Sequence, residues 1–155
     1  MKILLVLAAS AFLSAPALSQ SPAAAQVYSG KDVAAQLDAL SRAAQASGSS
    51  GATLGDFSSH AIKLSVRTSS GGAEIHAHYD DIFLVTGGRA TLITGGRVLQ
   101  AQTGADGETK GSSIEGGTRR LLEEGDVVHI PAGTPHQLLI APGETYRSIV
   151  VKVKE

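Results

Sequence analysis

Between Ser29 and Ala46 the apolar residues Val33, Leu37, Leu40 and Ala44 recur at three- and four-residue intervals, the spacing that gathers side chains on one face of an α-helix. Ser29 stands ahead of the run as a cap and Asp32 falls in its first turn, so the pattern predicts one amphipathic helix. Ser47-Gly48-Ser49-Ser50-Gly51 ends it, and no helical period returns. From His60 to Thr68 the period changes to two, with Ile62, Leu64, Val66 and Thr68 on one face and Lys63, Ser65 and Arg67 on the other. That predicts a strand with one side in the core and one in solvent, which puts Lys63 and Arg67 outside a barrel interior. Further strands are predicted at Glu74 to Tyr79, Ile82 to Thr86, Ala90 to Thr94, Val98 to Gln102, Thr118 to Leu122, Asp126 to Ile130, Gln137 to Ile140 and Tyr146 to Val153, with glycine pairs at the turns. Thr103 to Gly117, with five glycines and almost no apolar side chain, reads as a long exposed loop or a flexible hairpin tip, mobile and dispensable for folding. Short strands without intervening helices argue for a closed barrel or jelly roll behind one helix.

Composition sharpens this picture. A chain of 155 residues has room for one domain and one core. The formal net charge of -1, from 13 basic and 14 acidic residues without a dense basic block, gives no phosphate-neutralising surface, so nucleic acid is not an expected partner. Met1-Lys2, the apolar run Ile3 to Leu13 and the small residues Ser14 to Ser19 have the layout of an export signal. The run is too short to span a bilayer. The expected division is therefore residues 1–19 as signal, 20–28 as linker, 29–51 as helix and turn, and 52–155 as barrel, with the mature protein secreted or periplasmic. There are no cysteines, which excludes disulfides, thiolate ligands and a lipidated N-terminal cysteine, so no membrane anchor is expected. A monomer and a homodimer both stay open.

Any metal site must then be built from imidazole, carboxylate, amide or backbone oxygen. The chain has five histidines. His76 and His78 alternate within a predicted strand, so both rings would face the same side and could share one ion. Asp80 and Asp81 bring anionic oxygen within a few residues, and Asp80 has the strand parity of both histidines. Glu74 has it too, as a hydrogen-bond or proton acceptor beside the ligands or as a rim carboxylate in water. His60 and His129 read as ordinary strand or surface histidines, and Phe83 and Tyr146 as packing.

Gly125, Pro131, Gly133 and His136, in the run Gly125-Asp126-Val127-Val128-His129-Ile130-Pro131-Ala132-Gly133-Thr134-Pro135-His136, match the spacing of the second motif of the cupin superfamily. Pro131 and Gly133 would force a tight turn that delivers His136 to the next strand. The resemblance covers roughly His60 to Val153. It implies a cupin-type double-stranded β-helix, an all-β jelly-roll barrel preceded here by the one helix. It also implies a single divalent ion held by His76, His78, His136 and a carboxylate. Counting back from Gly88, the carboxylate position of the first motif falls on Asp81, and Asp80 competes for it. The first motif is matched imperfectly: Ile82 and Phe83 stand where a glutamate normally follows the second histidine, Gly71 is one residue closer to His76 than usual, and Ile140 replaces a common asparagine.

Mn, Fe, Ni, Cu and Zn all suit such ligands. The resemblance implies a small-molecule ligand or substrate and, as the leading expectation, a metal-dependent oxygenase-type enzyme, with a non-catalytic metal- or ligand-binding module as the alternative. No acid, base or nucleophile beyond the ligands is legible.

Overall fold

A computed structural model describes residues 24–155; the export signal expected at residues 1–19 lies outside the described residues. Helix α1 (Gly30–Ser47) forms where the periodicity places it. The Ser29 Oγ accepts from the Asp32 amide at 3.2 Å, and Gly48, at φ 80, closes the other end by donating to the Ala44 carbonyl. Among the described residues no helix is long and apolar enough to cross a membrane.

Thirteen strands follow: β1 (Ser49–Asp56), β2 (His60–Arg67), β3 (Ala73–His76), β4 (Tyr79–Gly87), β5 (Ala90–Thr94), β6 (Arg97–Leu99), β7 (Gln102–Thr103), β8 (Glu108–Gly111), β9 (Ser113–Glu115), β10 (Thr118–Leu122), β11 (Val127–Ile130), β12 (His136–Leu139) and β13 (Tyr146–Lys154). They form antiparallel sheets in the orders β1-β2-β13-β4-β11 and β10-β5-β12-β3-β8-β7, with β6 and β9 as a separate pair. Phe83, Val85, Leu92, Leu122, Ile130 and Tyr146, drawn from both large sheets, form the apolar core between them. This is an all-β jelly-roll barrel with one helix ahead of it.

Four features depart from the sequence reading. Strand β1 occupies Ser49–Asp56, the stretch read as a turn and its continuation. Its small residues show no apolar alternation, and pairing with β2 under the cover of α1 defines it instead. The alternation of β2 is as expected, but its two faces are exchanged. Leu64 and Val66 pack outward against Leu37 and Ala44 of α1, while Lys63, Ser65 and Arg67 line a cavity inside the barrel. A helix lying on the outside of a sheet makes the outer face apolar, which frees the inner one to be polar.

The stretch from Thr103 to Gly117 is not a bare loop. It contains β8 and β9; β8 pairs along β3, from Ala73↔Gly111 to His76↔Glu108, and Thr109 is buried. Finally, the strand expected over Glu74 to Tyr79 ends at His76, and Ala77-His78 form a bend before β4.

Candidate metal centre

The bend after β3 decides the make-up of the site. With the strand broken at Ala77, His78 no longer shares a face with His76; it is exposed and does not line the cavity. Glu74 and His76, two residues apart on β3, do share a face. His136 opens β12 directly opposite Glu74, and one ligand atom from each of Glu74, His76 and His136 lies within 4.8 Å of the others. Asp81, on β4 in the facing sheet, closes the group. Its Oδ2 is 3.3 Å from His76 Nε2 and 3.8 Å from His136 Nε2.

Each imidazole is oriented through its other nitrogen. His136 Nδ1–H donates to the Thr134 carbonyl at 3.0 Å, so Nε2 presents its lone pair to the cluster. His76 Nδ1 faces the Glu108 carboxylate, which leaves Nε2 turned toward Asp81 and Glu74. A carboxylate behind a ligating imidazole fixes ring and tautomer and raises ligand basicity. Glu108 lies 32 residues from His76 and reaches it only because β8 pairs with β3. Glu108→Gln is therefore expected to weaken divalent-metal binding by about 10–100-fold with little effect on the fold, as read by calorimetric titration and circular dichroism.

Charges in the cluster are mutually dependent. Burial acts to raise the Asp81 carboxyl, but hydrogen bonds to His76 and to Lys152, whose Nζ is 2.8 Å from Oδ1, outweigh it and hold the group below the usual carboxylate range. Burial likewise acts to lower His76, yet Asp81 and Glu108 raise it above the ordinary imidazole value. His136 is lowered, chiefly by burial. Tyr146, deep in the core, is pushed up to about 12 by burial and offers no proton exchange near neutrality.

Asp80, the competing carboxylate, has other work. Its Oδ2 pairs with His129 Nε2 at 2.8 Å, and its Oδ1 accepts from the Ala132 amide at 2.7 Å. Asp80 thus braces the turn that presents His136. In the same turn Gly133, at φ 75, donates its amide to the His76 carbonyl at 2.8 Å. His60 lies at the cavity rim, stacked on Phe57.

The residues present fit a divalent ion. Two neutral imidazoles and two carboxylates are borderline-to-hard donors suited to first-row metals, and the carboxylates balance the charge of the ion. Lys152 and Glu108 are the functional neighbours that sequence reasoning missed. The spacing to Asp81 is the signal that could have found Glu74. With His76 taken as the second histidine, Asp81 follows after four residues, at the family spacing, and Glu74 stands where the first histidine would be.

The cluster sits in the wall of an open cavity of about 780 Å³ lined mainly by polar side chains from both sheets. Phe83 borders both this cavity and the apolar core.

No protein-family model matches the sequence, and no curated protein matches it. Solved structures do. A polyketide cyclase from Streptomyces resistomycificus aligns over 70% of this chain and 66% of its own, with TM-score 0.51 and 18% identity. The DMSP lyase from Ruegeria pomeroyi aligns over 68% of this chain and 46% of its own, with TM-score 0.50 and 18% identity. The cupin domain of a Schizosaccharomyces pombe protein aligns over 69% of this chain and 65% of its own, with TM-score 0.52 and 12% identity. In each case the aligned region is less than two thirds of the other chain. At these identities the likeness is one of fold. With strand order, barrel core and the Gly125 to His136 turn in place, the chain has the cupin barrel fold.

Proposed function

We propose that this protein is a metal-dependent cupin enzyme of oxygenase type, acting on a small oxygen-bearing molecule after export from the cytoplasm. One observation carries the reading: two imidazole Nε2 atoms and the carboxylates of Glu74 and Asp81 converge in the wall of a cavity with room for a small molecule beside them. Two histidines and a carboxylate are the donor set of non-haem iron oxygenases. A bound ion would polarise a substrate oxygen and accept dioxygen or water at an adjacent position. The chain's own residues would orient the imidazoles, and Lys152, hydrogen-bonded to Asp81, stands ready to hold a proton or an anionic oxygen. A non-catalytic binding module is the second reading, favoured by the wide, polar mouth of the cavity.

The test is anaerobic loading with Fe(II), Mn, Ni, Cu or Zn, elemental analysis, and paramagnetic resonance of the iron form with nitric oxide as a dioxygen surrogate. A nitrosyl signal together with substrate-dependent oxygen uptake supports the oxygenase. Retention of metal with neither response supports the binder, and failure to retain any ion overturns the oxygenase and a metal-binding module alike.

Metal affinity is expected to rise with pH, and to go on rising above the ordinary imidazole value of about 6.5. In the metal-free protein His76 holds its proton more tightly than in the unfolded chain, so this proton adds stability below about 6.5 and the gain is lost as pH rises through the elevated value. His136 acts in the opposite sense, because a buried neutral ring costs stability as pH falls below the unfolded value. The two contributions act in opposite senses in the apo protein, whereas an ion requires both rings neutral. Thermal midpoints against pH should therefore be shallow for apo protein and steep for the loaded form on the acid side. Superimposable curves would count against a metal site.

A further inference from the structure

The exchange of faces on β2 has placed cations where an apolar barrel lining would be expected. Lys63 and Arg67 project into the same cavity as the metal cluster, and among the described residues neither has a carboxylate within salt-bridge distance. The acids of the cluster are already engaged, Asp81 with His76 and Lys152 and Glu108 with His76. Register fixes how the charges are laid out. Across β2 and β13 the inward pairs are Ala61↔Lys152, Lys63↔Val150, Ser65↔Ser148 and Arg67↔Tyr146, and on β4 Asp81 lies opposite Lys152. Lys63 is thus one inward rung, about 7 Å, from the level of Lys152 and Asp81, and Arg67 lies further along the same row.

The Arg67 guanidinium crosses to the other wall. A Cβ placed on Gly71 would meet its Nη1 at 2.6 Å, so a glycine at this position gives the side chain its path. From Gly71 to Glu74, a cluster residue, is a span of roughly 10 Å along the chain. A half-buried guanidinium with no carboxylate partner, in a cavity leading to a metal site, is a fork for a planar or tetrahedral oxyanion. Lys63, two inward rungs and about 13 Å back along β2, adds a second positive charge to the same cavity.

We infer that the substrate is an elongated small molecule ending in a carboxylate or phosphate, with that oxyanion held by Arg67 and Lys63 and an oxygen donor at its other end reaching the His76–His136 cluster. This inference rests on the proposed reading of the cluster, and it names the substrate class that reading left open. Selectivity would then come from charge at one end and chelation at the other, with the span between them setting length.

The probes are succinate, glutarate, adipate and inorganic phosphate, with glutaramide as the neutral counterpart of glutarate. Each is titrated calorimetrically into apo and zinc-loaded wild type, Arg67→Gln, Arg67→Lys and Lys63→Gln. At least one anion should bind wild type, glutaramide should not, and Arg67→Gln should weaken binding by at least about tenfold in the apo form as well, with partial recovery in Arg67→Lys. Added salt should weaken binding in parallel. If Arg67→Gln does not fold, Lys63→Gln, which alters an exposed side chain, carries the same comparison. Equal binding of glutarate and glutaramide, equal affinity in wild type and variants, or no anion binding up to millimolar concentration overturns the inference. Loss of the metal reading alone appears differently, as wild type that retains no zinc yet still binds the anion through Arg67.

Discussion

Replacing His136 by alanine is expected to weaken divalent-metal binding by at least about 100-fold, beyond what loss of an outer hydrogen-bond partner costs. His136 is 5% exposed and brings its Nε2 to 3.8 Å from Asp81 Oδ2, and among the described histidines only His76 shares that carboxylate with it. His76→Ala should have a comparable effect. His78→Ala should leave metal binding unchanged, because that side chain is exposed in the bend and lies outside the cluster. The contrast between two histidines two residues apart separates a built site from general affinity of imidazole for metal. Elemental analysis after dialysis, with circular dichroism as the check on folding, makes the measurement. Equal loss in the His76 and His78 variants would mean that the bend rearranges and the site is other than described.

Leu64→Ala is expected to cost about 3 kcal/mol of stability, a fall of roughly 10 °C in thermal midpoint. Leu64 is 1% exposed and is packed with Val66, Leu37 and Ala44 in the cluster that seats α1 on the outside of β2. Truncation opens a cavity between two elements that cannot both collapse into it, since β2 is held on one side by β1 and on the other by β13. Metal affinity should be nearly unchanged, because the side chain belongs to the face opposite Lys63. A loss below about 1 kcal/mol would show that the helix contributes little to the fold.

How far the chain could be read in advance follows from what periodicity encodes. Helix α1 was legible because Val33, Leu37, Leu40 and Ala44 carry its period and Ser29 and Gly48 its ends. The strands with apolar alternation were legible as strands. For β2, alternation fixed which residues share a face but not what covers it: Leu64 and Val66 would have looked the same against barrel or helix. β1, mostly small and polar residues with Leu54 its one large apolar side chain, and β8, whose residues Glu108–Gly111 are mostly polar, have little local signal; they are strands because β2 and β3 offer them open edges. His136 was legible because Pro131 and Gly133 dictate a turn at fixed spacing. The composition of the first motif was obscured by a second histidine at His78, which invited a register two residues too late. Glu108 and Lys152 could not be linked to the site without strand pairing, since each reaches it across a register set by the whole barrel.

The hydrogen bond from the Gly133 amide to the His76 carbonyl joins the turn that presents one imidazole to the strand that carries the other. The two rings therefore belong to a single rigid unit, and the loss of freedom needed to bring them together is incurred when the chain folds and not when the ion arrives. An ion entering such a site finds its ligands already gathered, so association should be a single fast phase with no slower closing step. The same linkage makes the site a dependant of the barrel: a substitution that loosens β3 against the turn, however far from any donor atom, would disperse both imidazoles at once.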